Sequence, residues 1–129
     1  MIRIIAAIFI GLLAGVVTVS IFEGLGHLIW PAPPGNLKDP EYLKSIMHAI
    51  PLQAKYAVLF SWGLGVFVGG VVARLISNRA PYAALIVALG MFAAAMVIMI
   101  AIPHPQWMVW NAIAISIVAL LLANRVTRR

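Results

Sequence analysis

A chain of 129 residues that is 64% hydrophobic and only 9% charged lacks the polar surface to cover a soluble globule, where about a quarter of residues carry charge. Nine basic residues against three acidic ones give a net charge of +6, but the basic residues flank apolar runs and form no patch with interleaved aromatics, which argues against nucleic-acid binding. There is no cysteine, which excludes disulfides, iron–sulfur clusters and thiol catalysis.

The hydrocarbon core of a bilayer, about 30 Å thick, is crossed by about 20 apolar residues of helix. Four runs meet that length, over about 4–23, 55–74, 82–102 and 107–124. The first is longer than the apolar core of a signal peptide, roughly 7–15 residues, and no clean small-residue cleavage site follows. It reads as a retained span. The chain is thus expected to be all-α, one transmembrane domain over residues 1–129 built as a four-helix bundle in contact with the lipid bilayer.

The connection after the first span is long. Pro31-Ala32-Pro33-Pro34-Gly35 predicts extended polyproline-type backbone. A short amphipathic helix follows over about 40–50, with Asp39 as N-cap and Pro40 at the first helical position. Leu43, Ile46, Met47 and Ile50 fall on one side, and Glu41, Lys44, Ser45 and His48 on the other. Such a helix is expected to lie on the outer membrane surface, apolar face down.

The second and third spans join through Ser77-Asn78-Arg79-Ala80-Pro81, and the third and fourth through Pro103-His104-Pro105-Gln106. Both connections force antiparallel neighbours. A residue before proline avoids the α region, so Ile102 and His104 are expected to be extended. With both termini inside, the inner segments hold Arg3, Arg74, Arg79, Arg125, Arg128 and Arg129, and the outer ones Lys38, Lys44 and Lys55. That bias predicts cytoplasmic N- and C-termini.

Helices in lipid associate by close packing of small residues. Ala7, Gly11 and Gly15 form one stripe at a spacing of four, and Gly65, Gly69 and Ala73 another. Ala80, Ala84 and Ala88 mark the third span, and Ala112 and Ser116 the fourth. These stripes serve contacts within one chain or between chains. Trp30, Trp107 and Trp110 mark the outer interface and Tyr82 the inner one, as an aromatic belt predicts. Trp62 lies deeper and reads as a packing residue.

The candidate functional residues gather on the outer side. Glu23 and His27 share a face if the first helix persists through Gly24 and Gly26. His104 is in the outer hairpin, His48 on the surface helix, and Asn111 one turn below Trp107. About 29 Å of helix from Ile4 puts Glu23 close to the outer edge of the hydrocarbon. Nothing charged lies mid-span, which counts against an ion pathway through one chain.

Three readings stay open. Glu23 and His27 form an interfacial ion pair, with His104 bonded to a loop carbonyl. Alternatively Glu23, His27 and His104, with His48 as a fourth ligand, bind zinc, copper or iron. Or Trp30, Trp107, Trp110 and Asn111 wall a pocket for a quinone or lipid. No phosphate-cradling glycine loop, nucleophile elbow or zinc-protease helix is present, which weighs against an enzyme without deciding it and leaves any cofactor unknown.

The motifs Glu23-Gly24-Leu25-Gly26-His27, Pro31-Ala32-Pro33-Pro34-Gly35 and His104-Pro105-Gln106-Trp107 resemble a pattern in small bacterial inner-membrane proteins of unassigned function. The resemblance implies four spans in a bacterial cytoplasmic membrane and carries no activity with it. The leading functional expectation is association, as an accessory subunit of a larger membrane complex or a homo-oligomer. The alternatives are metal-ion or proton transport or sensing through Glu23, His27 and His104, and amphiphile binding at the outer mouth.

Overall fold

The structure, a computed structural model, describes residues 1–31, 35, 39–46, 49–101 and 104–128, with residues 40 and 43 described in backbone only. The elements are α1 (Ile2–Ile29), α2 (Pro40–Ile46), α3 (Leu52–Ile76), α4 (Pro81–Ala101) and α5 (Gln106–Val126). Among the described residues there is no strand. The helices α1, α3, α4 and α5 are each long and apolar enough to cross a membrane, so the chain is a four-helix, multi-pass membrane protein.

The first helix runs six residues beyond Glu23. Gly24 and Gly26 do not stop it, because a helical glycine costs only about 1 kcal/mol against alanine. The first true breaker is Pro31. The Trp30 N–H closes the last turn on the Gly26 carbonyl at 2.8 Å. In α2 the expected cap forms, with the Glu41 N–H donating to the Asp39 carboxylate at 3.1 Å. Glu41, Lys44 and Ser45 are exposed, while Met47 and His48 of the expected helix lie outside the described residues.

Helix α3 is the hub, touching α1, α4 and α5. Its closest partner is α1, antiparallel to it. A Cβ placed on Gly11 would stand 2.8 Å from the Gly69 carbonyl oxygen and 2.9 Å from the Ala73 Cβ. One on Gly65 would stand 2.9 Å from the Gly15 carbonyl oxygen. Only glycine permits this approach of backbone to backbone. Ala84 and Ala88 of α4 and Ala112 of α5 are buried in the same core. The small-residue stripes of the sequence are therefore used inside the chain.

Both termini lie at one end of the bundle. There Arg3 Nε donates to the Ile76 carbonyl at the end of α3, and Arg74 bonds the end of α5. The α3–α4 turn places Asn78 at φ 58° and Arg79 at φ 68°. Asparagine adopts this left-handed backbone readily, and arginine much less so. Large apolar side chains such as Leu13, Leu89, Val97 and Ile100 face outward, the arrangement that suits contact with lipid.

Candidate functional site

At the opposite end, called here the mouth, the sequence places a carboxylate within an apolar helix. Because α1 continues to Ile29, Glu23 stands about 9 Å inside the helix end, at 1.5 Å per residue. It is half-buried. Its partner is on α3. The indole N–H of Trp62 donates to Glu23 Oε1 at 2.9 Å.

That bond changes the standing of Trp62. The ring does pack as expected, among Leu59, Met99, Met108 and Ala112, and is only 7% exposed. A buried indole also requires an acceptor for its N–H, and α1 supplies one in an otherwise apolar wall. The glycine seam sets this pairing. With Gly11 against Gly69 and Gly15 against Gly65, the antiparallel register brings Glu23 to the start of α3, within reach of the long indole. The sequence carried a signal for it: a tryptophan inside a span needs a hydrogen-bond partner, and Glu23 was the one acid beside a span.

The expected ion pair between Glu23 and His27 does not form. The two do share a helix face, but Glu23 turns to Trp62 and His27 is exposed. His104 also meets the Trp62 ring, with centroids 6.4 Å apart and planes at 54°. The Glu23–Trp62–His104 contact thus joins α1, α3 and the α4–α5 connection.

Two cavities border this contact. The first, about 120 Å³, opens at the mouth and is lined by Glu23, His27, Trp30, Lys55 and His104 over an apolar floor that includes Val58 and Met108. The second, about 280 Å³, is an apolar groove between α1 and α4. Val16 and Val19 form one wall, Met91, Phe92 and Ala95 the other, with Trp62 and Val66 behind. Closer to the termini the two helices touch, Gly11 near Val87 and Gly15 near Met91. Glu23 lines both cavities.

The structure thus gathers Glu23, His27 and His104 around one space, but not into a coordination group. Among the described residues no three His, Asp or Glu side chains stand together as a metal ion requires, and His48 lies outside those residues. Of the aromatic candidates only Trp30 lines the mouth cavity. Trp107 packs on Tyr56 with centroids 5.4 Å apart, and Trp110 is 66% exposed. Asn111 turns its amide back to the Trp107 carbonyl at 2.8 Å.

A second polar cluster, at the terminus end, was not foreseen. Arg74 is only 6% exposed and has no acidic partner among the described residues. Its guanidinium donates to the Thr127 hydroxyl, to Asn124 Oδ1 at 3.1 Å and to the Thr127 carbonyl at 3.4 Å. The carbonyl ends of α3 and α5, with their partial negative charge, stand where a carboxylate would otherwise be needed.

The chain matches no protein-family model, no curated protein and no solved structure. Fold and site together define a small four-span helical membrane protein with a side-opening groove and a polar-rimmed mouth.

Proposed function

We propose that this protein binds a membrane-soluble amphiphile at the mouth end, polar head in the mouth cavity and tail in the α1–α4 groove. The observation that carries the reading is that Glu23, fixed by Trp62, borders both spaces. Both spaces are walled mostly by apolar surface, and Glu23 is the charged group they share, so it would orient the polar end of a largely apolar molecule.

The setting proposed is a bacterial cytoplasmic membrane with both termini in the cytoplasm. Arg3, Arg74, Arg79, Arg125 and Arg128 at the terminus end support that orientation. The mouth then faces outward.

Association with a larger complex or a second copy is also a proposal, with less support. The small residues that motivated it are used in the α1–α3 seam and the surrounding core, and lipid covers the remaining apolar faces equally well. Metal transport through Glu23, His27 and His104 has no three-ligand group among the described residues behind it.

Extraction in native membrane patches, followed by identification of every co-purifying small molecule, tests the amphiphile reading. A stoichiometric lipid or quinone that shifts Trp62 fluorescence is the expected outcome. Protein that stays empty, and whose fluorescence ignores added amphiphiles, would sink it.

A further inference from the structure

The mouth cavity has a property that no apolar ligand would explain. Its walls carry one half-buried acid, Glu23, and one half-buried base, Lys55, and the two do not pair. Glu23 accepts a single hydrogen bond, from Trp62 to Oε1, so Oε2 has no donor among the described residues. The Lys55 ammonium likewise has no hydrogen-bond or ion-pair partner among them. Two opposite, half-buried charges that border one small cavity without pairing are a complement to a dipolar head group.

We propose, resting on the amphiphile reading above, that the ligand is a phospholipid with a zwitterionic head group ending in a primary ammonium. Its ammonium donates to Glu23 Oε2 and its phosphate accepts from Lys55, with His27 at the rim. One acyl chain occupies the α1–α4 groove. The cavity of about 120 Å³ suits a compact head and leaves the chains to the groove and the bilayer. A quinone head fits worse, because its carbonyls can accept from Lys55 but give Glu23 Oε2 no donor. A quaternary ammonium fits worse for the same reason: it bears no N–H. The Trp30 face attracts either ammonium, so it does not discriminate between them.

The test uses the full chain, delipidated in detergent, mixed with equal amounts of phospholipids sharing the same acyl chains. The head groups are ethanolamine, its mono- and dimethyl derivatives, choline and glycerol, and single-lipid adducts are counted by native mass spectrometry. Retention should fall stepwise as methyl groups replace N–H donors, with ethanolamine held about tenfold more than choline, the scale of one charge-assisted hydrogen bond. The anionic glycerol lipid should also bind poorly. Glu23→Gln should bring ethanolamine down to the choline level, and Lys55→Met should lower all phosphate-bearing adducts together.

The methylation series needs no variant, so a poorly folding mutant does not blunt the test. Equal retention of all five lipids, or a glycerol or choline preference, overturns this assignment and leaves the amphiphile reading standing. Displacement of every phospholipid by an isoprenoid quinone does the same. No adduct of any kind removes both.

Discussion

Glu23 and Arg74 stand at opposite ends of one bundle, and among the described residues neither forms an ion pair. They are satisfied very differently. Arg74 is nearly sealed, each of its three nitrogens donating to Asn124 or Thr127, and it lines neither of the cavities described above. Glu23 takes one bond and borders two cavities. A buried charge bonded through every nitrogen to a neighbouring helix end acts as a lock. One with capacity left beside open space acts as a site.

Both ends hang on the α1–α3 seam, so the largest effect should come from breaking that seam. Gly69→Leu puts a side chain where even a Cβ would stand 2.7 Å from the Gly11 carbonyl oxygen. The clash is with backbone, which cannot swing away, so the cost should exceed the usual overpacking penalty of about 1–3 kcal/mol. No cooperative thermal transition should be seen in detergent. A variant melting like the parent would mean that the seam is looser than described.

Arg74→Met comes next. It strands the Thr127 and Asn124 acceptors and removes the cation from the helix ends, at a cost of about 3 kcal/mol. Arg74→Lys should recover only part, since an ammonium cannot span the same fork of acceptors. Melting temperatures of the two variants check the order. Lysine matching arginine would show that charge alone suffices there.

At the mouth, Trp62→Phe keeps most of the packing and deletes the N–H donor, which should cost about 1 kcal/mol. Amphiphile retention should drop with it, because Glu23 is no longer oriented. Glu23→Gln should cost less, under about 0.5 kcal/mol, because its amide oxygen still accepts from Trp62. Its effect belongs on ligand retention instead. That split, stability at Arg74 and binding at Glu23, is what the comparison of the two ends requires. The smallest effect is expected for His27→Ala, an exposed position at the rim, within about 0.5 kcal/mol by denaturation.

Much of this architecture was legible in the residues alone. Hydropathy is a local sum, so four long apolar runs announce four helices whatever they pack against. Asp39 as the N-cap of α2 and Pro40 at its first position follow from backbone rules that act over a few residues. The gathering of Glu23, His27 and His104 at one end followed from topology, since an even number of crossings returns those segments to the same side. The Trp107, Trp110 and Asn111 wall was expected from interface chemistry, yet those three residues point elsewhere. Composition says that such residues sit at an interface, not which way they face.

The length and polarity of its segments were enough to make this chain a four-helix membrane protein. Which polar atoms meet was decided only when the helices packed. Glu23 and Trp62 lie 39 residues apart, and Arg74 and Thr127 lie 53 apart. Their meeting depends on the rotation and register of neighbouring helices, set by glycines such as Gly11 and Gly69 that let backbones touch. A helix reports its own apolar faces through its sequence, but the angle at which two helices lock is a property of their shared surface, and that surface exists only in the folded molecule.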